Sequence, residues 1–241
     1  MDSDEAMMQF YVLKVEVGST YETWFEKTEP IHRGDALYCP TCGINVTNLR
    51  WLPPYRAAIK AYGRELGDVA FFGMSILVSH RFRLAWEQAG LRGINEFTPL
   101  ERVRVRPARL GKRPVNYYHV EVRQFGTRVD MKRSLIEYGE PITCDRCLSA
   151  GVDTVRGFAI DERSWTGEDI FEAWGMPGSI IVTDRVRQLR DEHGLTNVNL
   201  TPVEEYFWDP LSKWTPVDYS PPDWYKPDET DDGDDAQRLA N

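Results

Sequence analysis

Only four cysteines occur in the 241 residues, and they fall into two Cys-x-x-Cys pairs, Cys39-Pro-Thr-Cys42 and Cys144-Asp-Arg-Cys147. Two cysteines so spaced fit on one tight turn and can share a metal. Four thiolates complete the tetrahedral shell that zinc prefers, at ~2.3 Å per sulfur. Cys42 is followed by Gly43, which tolerates the backbone angles of such a knuckle; the second pair has Leu148 in that place. Separate redox dithiols, or simply buried thiols, are the other readings of these residues. A thioredoxin-like pair would follow a strand and open a helix, whereas Gly43, Asn45, Ser149 and Gly151 argue for turns. Zinc held by Cys39, Cys42, Cys144 and Cys147 would have no open position for water. It would be structural rather than catalytic.

No other catalytic set stands out. His32, His80, His119 and His193 share no ligand spacing, and there is no GxSxG, phosphate-binding glycine loop or HExxH. The expectation is a protein that is not an enzyme.

The stretch between Cys42 and Cys144 exceeds the span of a single zinc ribbon. An internal repeat removes the difficulty. SILVSHRFRLAWEQAGLRGINEFTPLE begins at Ser75 and SIIVTDRVRQLRDEHGLTNVNLTPVEE at Ser179, at nearly the same distance behind each cysteine pair. Val15-Glu16-Val17 aligns with Val120-Glu121-Val122 at an offset of 105, which also carries each cysteine of the first pair onto the second. The offset is 104 at Ser75 and 103 at Pro99. Each unit opens on an alternating strand, Phe10–Val17 or Tyr117–Phe125. After the cysteines come a β-branched strand (Ser75–Val78 or Ser179–Val182), an N-cap at Ser79 or Thr183, and a helix. Phe82, Ala85, Trp86 and Ala89 form one apolar stripe, matched by Val186 and Leu189. Gly90 and Gly194 close the helices as left-handed caps, and a short strand follows at Ile94–Phe97 or Val198–Leu200. The predicted fold is α+β. Two tandem copies of a mixed strand–zinc knuckle–strand–helix–strand unit, residues 1–110 and 111–206, pack with pseudo-twofold symmetry about one shared zinc.

Between the copies, Glu101–Pro114 carries six basic residues against Glu101 alone, and Arg102–Arg106 reads as an edge strand with one charged face. Charged edges resist aggregation. A nucleic-acid patch would want interleaved aromatics, and the chain carries a net charge of −9, so nucleic acid is not the expected partner. From Glu204 to Asn241 there are eleven acidic residues and three basic ones, which leaves −1 for residues 1–203. The extension 207–227 alternates aromatic residues with prolines and is expected to lie along the body from Tyr206 to about Trp224. The acidic tail 228–241 reads as disordered. The start, MDSDEAMMQF, has no secretory pattern, and no apolar run approaches the ~20 residues that span a bilayer, so a cytoplasmic protein without membrane contact is expected.

The Cys-Pro-Thr-Cys-Gly and Cys-Asp-Arg-Cys motifs, with the passages ending in FTPLE and LTPVEE, resemble the double-CXXCG motif family found mainly in myxobacteria. The resemblance spans residues 8–206; Leu148 breaks the second CXXCG. One branch of that family is similar to immunity proteins. The resemblance therefore implies a zinc-held inhibitor of a cognate polymorphic toxin, and the acidic tail suits a basic partner such as a nuclease domain. The alternative is a zinc-ribbon nucleic-acid-binding or regulatory accessory protein.

Overall fold

The structure, a computed structural model, describes residues 8–112, 114–210 and 212–213. It is sheet-rich with two α-helices, in keeping with the α+β class. In chain order come β1 (Phe10–Lys14), β2 (Thr23–Lys27), β3 (His32–Arg33), β4 (Trp51–Leu52), β5 (Arg56–Ala61), β6 (Val69–Phe72) and β7 (Ser75–Ser79). Helix α1 (His80–Gln88) leads to β8 (Ile94–Pro99) and β9 (Arg102–Arg106). Then follow β10 (Tyr117–Arg128), β11 (Ile136–Tyr138), β12 (Val152–Arg156), β13 (Ile170–Trp174) and β14 (Ile180–Thr183). Helix α2 (Asp184–His193), β15 (Asn199–Pro202) and β16 (Phe207–Trp208) complete the series.

One 11-stranded sheet runs β15-β1-β14-β13-β10-β7-β6-β2-β5-β9, with β8 also paired to β10. Its connections cross the chain. β1 pairs antiparallel with β14 and β15, which lie near the opposite end of the sequence, in the register Phe10↔Thr183. The first part of β10 pairs antiparallel with β7 and β8, and its later part pairs in parallel with β13. Each opening strand therefore completes its sheet with strands from the other half of the chain.

The helical stripes have the expected destination. Phe82, Ala85 and Trp86 of α1 and Val186 and Leu189 of α2 are buried in one cluster with Val78, Val122, Ile170 and Val182 of the sheet. Two further clusters contain no residue of α1 or α2: one gathers Phe10, Phe158, Phe171 and Ile181, the other Phe25, Trp51, Ile59 and Leu77. The sheet is thus buried on both faces, and β13 is buried along its whole length, as an interior strand requires.

The helix ends follow the sequence with one exception. Ser79 Oγ accepts the Phe82 N–H at 3.1 Å, and Gly90 and Gly194 take φ of 60° and 57°. Thr183 stands at the N-cap position of α2 but makes no cap bond. Its hydroxyl donates instead to Asp169 Oδ1 at 2.9 Å. A carboxylate is the stronger acceptor, and the exchange ties the cap to the strand beneath it.

That carboxylate belongs to a polar staple invisible in the sequence. Asp169 also accepts the Arg92 N–H at 2.8 Å and the Arg185 guanidinium at 3.0 Å. Asp68 accepts the Thr196 N–H at 2.9 Å, the Ser79 hydroxyl at 2.6 Å and the Arg81 guanidinium. Burial pushes the Asp68 carboxyl up, but Arg81, Ser79 and Thr196 outweigh it and hold the group below its ordinary range. Fully buried Asn197, in the left-handed region at φ 58°, donates to the Thr23 and Val69 carbonyls at 2.8 and 2.6 Å and accepts the Glu16 N–H at 3.1 Å.

Past residue 206, β16 pairs with β12, so the extension begins along the body as expected. The Tyr206 ring is buried against Phe158, whereas Phe207 and Trp208 are exposed. The readings made for residues 214–227 and for the acidic tail 228–241 lie outside the described residues.

Candidate metal centre

The two knuckles meet. Cys39 Sγ lies 4.0 Å from Cys144 Sγ, and Cys42 Sγ lies 3.6 Å from Cys147 Sγ. All four sulfurs lie within 4.8 Å of one another. Four sulfurs at ~2.3 Å from a central zinc stand ~3.8 Å apart along each tetrahedron edge, and the two cross-pair distances straddle that value. They are far beyond a disulfide bond of ~2.05 Å, and all four cysteines are free thiols.

Both turns are built alike. In the first, Gly43 N–H donates to the Cys39 carbonyl at 2.9 Å; in the second, Leu148 N–H donates to the Cys144 carbonyl at 2.9 Å. The N–H groups of Thr41 and Cys42 point at Cys39 sulfur and that of Ile44 at Cys42 sulfur. Those of Arg146 and Cys147 point at Cys144 and that of Ser149 at Cys147. Such donors favour the thiolate over the thiol.

Leu148 does not spoil the second turn. It adopts φ 50°, in the region Gly43 occupies at 72°. A non-glycine residue there costs roughly 1–2 kcal/mol. Burying its side chain among Val129, Val155 and Met176 returns a comparable ~1.5–3 kcal/mol. Room for it comes from Gly175, where a Cβ would stand 2.9 Å from Leu148 Cδ1. The glycine missing from the motif is compensated by one elsewhere in the chain.

The thiols divide sharply in acidity. Burial pushes Cys39 up, but the Cys42 and Thr41 N–H groups and the neighbouring sulfurs outweigh it and bring it down to about 6. Burial, reinforced by the other three sulfurs, pushes Cys147 up to about 12. Four acids this close cannot all ionise alone, because each thiolate raises the next. A dication neutralises the set and lets every proton leave. Cys39, Cys144 and Cys147 are buried, and Trp174 and Val46 pack beside them; only Cys42 reaches the surface. The residues present therefore fit a four-thiolate zinc ion.

Sequence reasoning brought these four residues together and missed their surroundings. An 830 Å³ groove opens beside the first knuckle, lined by Lys27, Trp51, Phe72, His119, Gln124 and Glu172 among others. Lys27 Nζ sits 5.0 Å from the Trp51 ring centre. Burial, with the Lys27 charge, lowers His119 to about 4, and burial raises Glu172 to about 7 despite a 3.1 Å hydrogen bond from Gln124. The signal for Glu172 was one acidic residue in the otherwise apolar run IFEAW.

A search of protein-family models and of curated proteins finds no match to the chain. Among the described residues, no helix is long and apolar enough to cross a membrane.

Proposed function

We propose that the protein is a binding scaffold clasped by one structural zinc ion, and that it acts as an immunity protein that neutralises a cognate toxin by contact. The observation that carries the clasp is the meeting of four sulfurs from knuckles 105 residues apart at tetrahedral spacing. The toxin rests on the resemblance to the double-CXXCG family. A full thiolate shell supports binding rather than catalysis as the mode of action.

The same reading takes the chain as a duplicated unit, and paired contacts support it. Asp68 accepts the backbone N–H of Thr196, while Asp169 accepts that of Arg92; Arg92 and Thr196 stand at the same offset as Ser79 and Thr183. The ladders revise one alignment. Val12 faces Ile181 and His119 faces Leu77, which places β1 on β10 with Val12 matched to His119, two positions beyond the match made from the sequence. A shift of two leaves every side chain on its face.

Co-expression with its cognate toxin should restore growth, and the two proteins should co-purify. Absence of both rescue and complex refutes the immunity role and leaves the clasp standing. The second reading, a nucleic-acid-binding accessory, is favoured by the arginines of β9 and predicts retardation of DNA or RNA at low salt, where phosphate contacts are strongest.

A further inference from the structure

β9 is the outermost strand of the large sheet, and its single neighbour is β5. Among the described residues, Arg102–Arg106 makes no backbone hydrogen bond outside the β5 ladder. One row of N–H and C=O groups is therefore open to another strand.

The two faces of this edge differ in chemistry. Arg102, Arg104 and Arg106 are exposed on one face, and none forms an ion pair with a described residue. On the same face, Arg56 and Lys60 of β5 stand opposite Arg102 and Arg106 but are occupied, by Glu101 at 3.1 Å and by Glu26 respectively. Among the described residues, three guanidinium groups therefore stand outside any ion pair, although Arg102 also helps to lower the Glu101 carboxyl, and they are spaced ~6.6–7 Å apart along the strand. On the other face, Val103 and Val105 line a 590 Å³ slot with Leu100, Ala108, Pro114 and Val115.

Charge alone is an ordinary defence of a sheet edge, and a defended edge has no need of an apolar slot beneath it. A strand added to β9 would set alternate side chains against the arginines and the intervening ones against the slot. We propose that the free edge of β9 docks an extended segment of a partner protein in which acidic residues alternate with apolar ones. The segment adds one strand to the sheet. Its carboxylates meet Arg102, Arg104 and Arg106, and its apolar side chains enter the slot. A nucleic acid would use the arginines but neither the slot nor the open main chain. This surface does not depend on the metal clasp, and it stands whether or not the partner is a toxin.

The test is fluorescence anisotropy of a labelled peptide, about ten residues long, alternating glutamate with valine and long enough to cover the strand, titrated with the full chain. Arg102→Glu/Arg104→Glu/Arg106→Glu should weaken binding by roughly tenfold or more, since three attractions become repulsions. The same peptide N-methylated at alternate residues cannot pair with the edge and should not bind. Circular dichroism and zinc content should be unchanged in the triple variant, whose side chains are exposed. Arg104→Ala, milder still, should weaken binding by a factor of about two to five. The proposal is overturned if the peptide fails to bind, if it binds variant and parent alike, or if N-methylation makes no difference. Arginine-dependent binding of labelled oligothymidylate with no binding of the peptide would overturn it in favour of nucleic acid.

Discussion

Cys147→Ser tests the clasp most directly. The change removes one buried ligand at almost constant volume, so packing loss is small and the cross-link itself is what disappears. A metal held by the four sulfurs would tie Cys39 to Cys144, 105 residues apart. In the chain-entropy treatment of cross-links, a closed loop of ~100 residues contributes about 4.7 kcal/mol at 25 °C. A domain of this size loses about 2–4 °C of Tm per kcal/mol. The variant should therefore melt about 10–20 °C below the parent and hold no zinc. Zinc per chain by mass spectrometry and a thermal melt by circular dichroism are the two readings needed. Parent protein stripped by a chelator should melt with the variant, because both lack the same tie. Loss of zinc with a melting temperature within about 2 °C of the parent would refute a structural role. Retention of one zinc per chain with undiminished affinity in a chelator competition would refute the ligand set.

Three further outcomes are expected. Glu172 is raised to about 7 in the fold from 4.5; the native chain thus holds a proton that the unfolded chain releases, and stability falls as pH rises from about 4.5 to 7. Glu172→Gln keeps the bond from Gln124 and should flatten that fall, making the variant more stable than the parent at pH 8 by up to about 3 kcal/mol in urea titrations. Asn197→Ala strands the buried Thr23 and Val69 carbonyls and also releases the half-buried bond from the Glu16 N–H; it should cost about 2–4 kcal/mol by the same assay, with a cost below about 0.5 kcal/mol contradicting the bonding seen. Asp169→Ala leaves the Arg92 N–H and the Thr183 hydroxyl without their acceptor and should cost about 3 kcal/mol; an unchanged midpoint would show that the staple contributes nothing.

Local features were legible in the sequence because their causes are local. The helix stripes of Phe82, Ala85 and Trp86 depend on spacing, the turns at Gly43, Gly90 and Gly194 on glycine, and the cluster of four cysteines on Cys-x-x-Cys. What stayed hidden depends on distant partners. Thr183 has the right residue type for a cap, and only proximity to Asp169 diverts it. Leu148 looked like a flaw until Gly175, on a separate segment of the chain, made room for its side chain. Strands β5 and β6 lie between the first cysteine pair and Ser75, where the two passages compared in the sequence show no likeness, so that comparison could not reveal them. The exchange of β1 and β10 between halves of the chain leaves no trace in composition, since either partner would bury the same apolar face.

That exchange also sets an order of events during synthesis. β1 is among the first segments made, yet Phe10 pairs with Thr183, and most of the chain must be translated before that partner exists. At ~5–20 residues per second, roughly nine to thirty-five seconds separate the two. Through that interval β1 has no strand to close upon, whereas β7 already pairs with β6 and gains its second neighbour once β10 is made. β1 cannot take its place in the sheet until β14 and β15 have been made. The β7-β6-β2-β5-β9 portion pairs within itself, and the β1 end of the sheet closes in a late step of high contact order. The knuckles obey the same schedule: Cys39 and Cys42 can hold a metal only halfway until Cys144 and Cys147 arrive.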